Sequence, residues 1–378
     1  MPVIAVLSTG GTISSHSDPV EGRLPTLTGR ELLASVPDLD GFEVRAVQLL
    51  TGSSFALTLA DLAVILRAVQ DQLNDVQVAG VVITHGTDTL EETAYLLQLF
   101  HDDPRPVVLT GAIRPADDPG ADGPANLYDA LVVAGSPSAR HRGVLIVFAG
   151  QIFAAAGTRK TDTIASAAFE SPDFGALGSV TPPGPNFTAL ALHAPASELR
   201  ACHPDLASVR VDIIATYPGG DDTALRACSL AGADGIVLEG TGSGNTTPAV
   251  AAAVAELAAA GVIIALSSRV HRGPVSPLYG GPGGGRALVS AGAIPAGWLR
   301  PSQARIALLA LLATEPDRGR VRELFAAWGA DPHGNRRCRQ STEPAPILHR
   351  HPDVEHHIGP GLRDHHATRL LRDEGTHQ

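Results

Sequence analysis

The sequence predicts an α/β fold with a mostly parallel sheet, and three observations carry that prediction. Over the first 180 residues, apolar β-rich runs alternate with stretches of helical period. The runs are near-continuous in hydrophobicity, as strands covered on both faces are. Clusters rich in Gly, Ser and Thr follow the first three runs, where ligands bind in open parallel sheets.

Taken in order, VIAVLST (3–9) reads as a strand and TGRELLASV (28–36) as a helix. FEVRAVQLL (42–50) is strand-like, and TLADLAVILRAVQDQL (58–73) has the 3.6-residue period. VAGVVITHG (78–86), PVVLTG (106–111) and GVLIVFAG (143–150) are buried-strand runs, with helices LEETAYLLQLF (90–100) and NLYDALVVAG (126–135) between them. This gives a first domain over 1–180. Weak periodicity with Pro and His over 181–208 reads as a linker. The alternation resumes over 209–330 as a second, smaller domain: strands at 211–220, 234–240 and 262–270, helices after each of the first two, and two closing helices ending near 329. The tail, 331–378, holds eight of the fifteen histidines with little apolar periodicity, so it is expected to be disordered and to do no chemistry.

Composition narrows the function. The formal net charge of −11 disfavours nucleic acid and anionic membrane surfaces as partners. Cys202, Cys228 and Cys338 are widely spaced and suit neither a disulfide framework nor a zinc site. The chain opens on PVIAVLSTGG without a basic or long apolar leader, which predicts a cytoplasmic setting.

Three polar clusters share the strand-end rim: STGGTISS (8–15), TGSS (51–54) and THGTDTLEE (84–92). They bring Thr12, Ser53, Ser54, Thr87 and Asp88 together. GGT is not a dinucleotide fingerprint and no Walker lysine follows it. No G-x-S-x-G elbow is present. His85 offers a general base, although a strand-end histidine is more often structural. What remains is a hydroxyl nucleophile, which needs a base.

The chain contains 28 Lys and Arg, and Lys160, in TRKTDT, is the only lysine. Arginine does not give up its proton in a protein. Lysine titrates near ~10.4 in water but is lowered by burial or by cationic neighbours. A proton-transfer site is therefore one place where an Arg-writing sequence must keep an amine. The competing reading is that Lys160 only balances a carboxylate such as Asp162.

STGGTI, THGTDTLEETAY, LTGAIRPADDPGADGPANLYDA and GTRKTDT, in that order, resemble the bacterial L-asparaginase/glutaminase family from residue 3 to about 328. The resemblance implies a larger flavodoxin-like N-terminal domain, a smaller α/β C-terminal domain, no cofactor or metal, and a homotetramer built as a dimer of dimers. It implies that Thr12 attacks the side-chain amide of L-asparagine, with Thr87, Asp88 and Lys160 as a second catalytic cluster. Ser53 would bind the substrate α-carboxylate and Asp88 its α-ammonium. The N–H groups of Thr12 and Thr87 would stabilise the oxyanion, and Ala112 would contact the amide through its backbone. Ser243 and Asn245, in GTGSGN, would reach the site of a partner subunit.

Three departures from the family pattern imply a looser site. Thr26 stands nearest a usual Tyr, Ser54, a substrate-binding candidate, stands where many members carry Gln and so loses one α-amino contact, and YGGPGGGRA (279–287) lacks the usual partner-supplied acid. Within the family the alternatives are a broad-specificity glutaminase-asparaginase and a subunit acting on misacylated tRNA. The acidic charge and the absence of a preceding domain argue against the second. Outside catalysis the rival is an amino-acid-binding protein of the same fold, which would have no use for a second hydroxyl and an amine.

Overall fold

Apolar runs too continuous to face water anywhere become the centre of the large sheet. In the computed structural model, which describes residues 1–189, 199 and 204–330, β1 (Val3–Gly10) is buried along its whole length. A short hairpin follows, β2 (Ser15–Asp18) and β3 (Gly22–Pro25), and then α1 (Gly29–Leu33). This helix is shorter than the 28–36 stretch suggested, and the chain leaves it ahead of Pro37, a residue that disfavours helix just before itself. β4 (Glu43–Gly52) leads to α2 (Leu59–Asn74). Thr58 and Asp61 cap α2 reciprocally, each side chain accepting from the other's backbone N–H.

The alternation continues through β5 (Val78–Thr84), α3 (Leu90–Phe100), β6 (Val107–Thr110), α4 (Gly123–Gly135) and β7 (Val144–Phe148). β8 (Gln151–Ala154) turns back antiparallel. β9 (Arg159–Lys160) and β10 (Phe169–Glu170) form a small separate ribbon. β11 (Gly178–Thr181) and β12 (Gly184–Phe187) complete the edge of the main sheet.

The sheet order is β12-β11-β8-β7-β6-β5-β1-β4, and the five strands from β7 to β4 are parallel. Those five, taken in chain order, run 2-1-3-4-5, the flavodoxin-like arrangement. Their switch point lies between β1 and β5. One apolar layer, with Leu7, Ile65, Ile83 and Leu96, covers one face under α2 and α3, and another, with Ile4, Val82 and Leu131, covers the opposite face.

The start of the predicted linker is corrected. Residues 184–187 are an edge strand pairing with β11, not irregular chain. GPNF is short and carries Pro185, which an edge strand tolerates because one side of its ladder is unpaired. The rest of the predicted linker falls largely outside the described residues, as does the His-rich tail from 331.

The C-terminal lobe is built from β13 (Val211–Ala215), α5 (Thr223–Leu230), β14 (Gly235–Gly240), α6 (Pro248–Ala259), β15 (Ile263–Ser268), α7 (Gly285–Ser290), β16 (Ile294–Pro295), α8 (Pro301–Thr314) and α9 (Arg318–Ala330). Its four strands are parallel, in the order β13-β14-β15-β16. The apolar layer beneath α3 continues into this lobe through Ile306, Leu309 and Val237, so the two lobes share a core. Among the described residues no helix is long and apolar enough to cross a membrane.

Candidate active site

Two backbone contacts at the switch point bring the candidate hydroxyls together. Gly10 and Gly11 leave β1 with φ of +99° and +82°. A Cβ on Gly10 would lie 2.4 Å from the Gly52 carbonyl oxygen, and one on Gly11 would lie 2.4 Å from the Gly86 Cα. Only glycine fits both the dihedrals and the space. The β1, β4 and β5 loops therefore pack backbone against backbone. Thr12 and Thr87 each follow a glycine of the Gly11–Gly86 contact, and each opens a single 3-10 turn, Thr12–Ser14 and Thr87–Thr89.

The other hydroxyls of the first loop are committed to structure. Thr9 Oγ1 donates to the Thr84 carbonyl at 3.0 Å, and Ser14 and Ser15 both donate to the Gly11 carbonyl at 2.9 Å. Ser8 accepts from the Thr84 hydroxyl at 3.3 Å. Thr12, half-buried, makes no side-chain hydrogen bond among the described residues.

Lys160 reaches this rim from β9. Its Nζ donates to Thr87 Oγ1 at 2.8 Å and to Asp88 Oδ1 at 2.8 Å. Thr87 is buried, and the lysine side chain is only 17% exposed, which limits competition from water. Asp162 is not its ion-pair partner; that carboxylate accepts the N–H groups of Ile164 and Ala165, and these hold it below the usual carboxylate range.

Ser53 begins the turn Ser54–Ala56, next to β4. Ser54 is buried against Gly86, and its carbonyl accepts from the Thr89 hydroxyl at 2.9 Å. Ala112 is buried beside Gly123, which also lies against Ile13. The long motif after β6 works as scaffold: Asp122 accepts the N–H groups of Ile113 and Arg114, and Asn126 bridges Gly111 to Ala149.

Among the described residues, Ser243 and Asn245 make no hydrogen bond to this cluster. Asn245 Oδ1 accepts from Gly285 N at 3.1 Å, tying its loop to the start of α7. Ser243 Oγ is buried without a partner among the described residues.

Residues 3–189 match the family description "Asparaginase, N-terminal" and residues 210–325 match "Glutaminase/Asparaginase C-terminal domain". The chain belongs to the asparaginase family. It is 38% identical over 331 residues to a Deinococcus radiodurans protein named "Probable L-asparaginase", covering 86% of this chain and 97% of that one. A "Glutaminase-asparaginase" of Pseudomonas fluorescens is 35% identical over 281 residues, covering 71% of this chain and 76% of that protein. The crystal structure of a "Probable Cytoplasmic L-asparaginase" from Campylobacter jejuni matches with a TM-score of 0.74 at 31% identity, over 86% of this chain and 99% of that one.

Within this asparaginase fold, His85 is structural. It is fully buried, with Nδ1 2.7 Å from the Gly86 carbonyl and Nε2 3.0 Å from Thr93 Oγ1. A carbonyl only accepts, so Nδ1 carries the proton and Nε2 accepts from Thr93. Burial pushes its pKa down to about 4, and it stays neutral. Thr26 has its hydroxyl 2.7 Å from His16 Nδ1 on the β2–β3 hairpin, a pairing that sequence reading did not anticipate.

Sequence reading also passed over Glu91 and Glu92. Glu91 Oε2 accepts the Lys160 backbone N–H at 2.7 Å, and its other oxygen accepts the Ser302 hydroxyl. Their signal was two adjacent acids on a helix whose other residues are almost all buried. Burial raises the pKa of both; Glu92 reaches about 7, with the Glu91 charge as the second cause, opposed by Arg305. The two donors to Glu91 favour it as the ionised member.

A carboxyl raised in the folded state binds more protons folded than unfolded between its two pKa values, so stability falls as pH rises across that window. For Glu92 the window runs from 4.5 to about 7. Glu92→Gln is expected to flatten the fall in unfolding midpoint between pH 5 and pH 8, leaving the variant the more stable protein at pH 8. Parallel midpoint-versus-pH curves for the two proteins would refute this.

Proposed function

We propose that the protein is an L-asparaginase, an amidohydrolase that converts L-asparagine to L-aspartate and ammonia through a Thr12 acyl-enzyme. One observation carries the reading: in a loop whose other hydroxyls are tied to structure, Thr12 stays uncommitted beside a second threonine held by an amine, which is itself paired with a carboxylate. A binding protein has no need of that second hydroxyl and its lysine. The relatives' names support the same activity.

In this mechanism Thr12 Oγ attacks the side-chain amide carbon and its proton passes to the departing nitrogen. The oxyanion is met by the N–H groups of Thr12 and Thr87, each of which opens a single turn and lacks an acceptor within it. Ammonia leaves, and water then cleaves the ester to regenerate Thr12. Lys160, with Asp88 beside it, moves the proton at the Thr87 hydroxyl and activates that water. Ser53 holds the substrate α-carboxylate with Ser54 next to it in the binding loop, Asp88 meets the α-ammonium, and the Ala112 backbone meets the amide. The reading needs no metal or cofactor, and the setting is cytoplasmic.

The lysine contact favours a second reading, in which Thr87 itself is the nucleophile, because a nucleophile and its base stand within hydrogen-bond reach. Trapping the acyl-enzyme on a slow substrate and locating the modified peptide separates the two. For substrate choice, the test is ammonia release from asparagine and from glutamine. Higher kcat/KM on asparagine is expected; equal values would make the protein a broad glutaminase-asparaginase, and none on either would end the amidohydrolase reading.

The working form is a tetramer, a dimer of dimers, in which Ser243 and Asn245 complete a neighbour's site. Support comes from the exposed apolar side chains near their loop: Tyr217, Leu278 and Tyr279 are each more than half exposed. Mixing Thr12→Ala subunits with Asn245→Ala subunits is expected to restore activity in hybrid oligomers. No gain despite verified exchange, with each variant inactive alone, would rule out a shared site.

A further inference from the structure

Lys160 stands on an unusually small support. β9 and β10 are two residues each, joined to each other and, among the described residues, to no other strand. A two-stranded ribbon is marginal by itself, so something else must fix the lysine. The contacts that do so come from α3 and from the first turn of α8. Glu91, on α3, accepts the Lys160 N–H with one oxygen and the Ser302 hydroxyl with the other. Next to Ser302, Gln303 accepts from Gly157 N at 2.9 Å and donates to the Ala155 and Thr158 carbonyls at 2.9 and 3.0 Å. The chain leading to the lysine is therefore gripped from both lobes.

We infer that Glu91 is a positioning residue: its carboxylate clamps the Lys160 backbone to the first turn of α8, holding the amine against Thr87 and Asp88. This rests on the reading of Lys160 as a working residue of the site. Two donors converge on Glu91 from opposite lobes, and an ionised carboxylate can accept from both at once. The Lys160 N–H cannot reverse its direction, whereas the Ser302 hydroxyl can rotate to accept. Glutamine at 91 can therefore replace the carboxylate, with its oxygen on Lys160 N–H and its amide donating to Ser302; alanine can make neither bond.

The single lysine of the chain supplies a direct readout. Amine-specific labelling, read by peptide mass, reports on Lys160 separately from the N-terminal amine and requires no turnover. It therefore decides the clamp even if the proposed reaction is wrong. In Glu91→Ala the labelling rate is expected to rise several-fold and kcat to fall by about 10²-fold, the scale of a misplaced catalytic group, with KM nearly unchanged. Glu91→Gln should restore most of the protection. Ser302→Ala, which severs only the arm to α8, should also raise labelling, and it decides the matter if Glu91→Ala does not fold. Wild-type labelling in folded Glu91→Ala or in Ser302→Ala would overturn the clamp, as would a Glu91→Gln variant as reactive as the alanine one.

Discussion

Thr12→Ala is expected to lose turnover by about 10⁴-fold or more while keeping its fold, because it removes the group proposed to form the covalent intermediate. The structural side of this expectation comes from the neighbours. Thr9, Ser14 and Ser15 spend their hydroxyls on backbone carbonyls, so replacing any of them removes a bond that shapes the loop. Thr12 makes no such bond among the described residues, and its loop is set by Gly10 and Gly11 packing on Gly52 and Gly86. The unfolding midpoint of Thr12→Ala should stay close to wild type, since side chains away from such features shift stability by only about 0.5 kcal/mol. The measurement is kcat for ammonia release, with the midpoint as the control. Near-normal turnover in the folded variant would remove Thr12 from the nucleophile's role and leave Thr87 as the candidate.

The second large effect concerns the amine. Lys160→Arg is expected to be nearly as damaging as Lys160→Ala, with losses in the ~10²–10⁴-fold range of general-base removal. Lys160 Nζ lies 2.8 Å from both Thr87 Oγ1 and Asp88 Oδ1. Arginine there keeps the positive charge and can pair with Asp88, but it cannot accept a proton from Thr87 at neutral pH. If the lysine is only a counter-ion, arginine should restore what alanine loses. Because a guanidinium is also larger, kcat is measured across pH for both variants. A Lys160→Arg protein with wild-type turnover and pH profile would refute proton transfer.

Much of the fold was legible because its signals are local. The run Val3–Gly10 and the period of Leu59–Asn74 show in consecutive residues what must be buried and on how many sides. The β2–β3 hairpin, the β9–β10 ribbon and the edge strand Gly184–Phe187 were not legible. Such short segments bury too little of their own to impose a pattern, and their pairing partners fix them.

For the site, the sequence by itself determined the chemical inventory. Three Gly- and hydroxyl-rich strand ends, with one lysine in a chain that otherwise writes arginine, narrowed the chemistry to a hydroxyl nucleophile and an amine. The tertiary structure decided which of those groups is free and which is held. It tied up the hydroxyls around Thr12, gave Lys160 to Asp88 rather than to the nearer Asp162, and made His85 a neutral, buried residue. It also recruited Glu91 and Ser302, 211 positions apart, to the lysine's support. The physical reason is range. Hydrophobic period and turn chemistry act over a few residues and are written in order along the chain. Hydrogen-bond commitment and desolvation depend on which groups meet once distant segments pack, and the order of the residues does not record that.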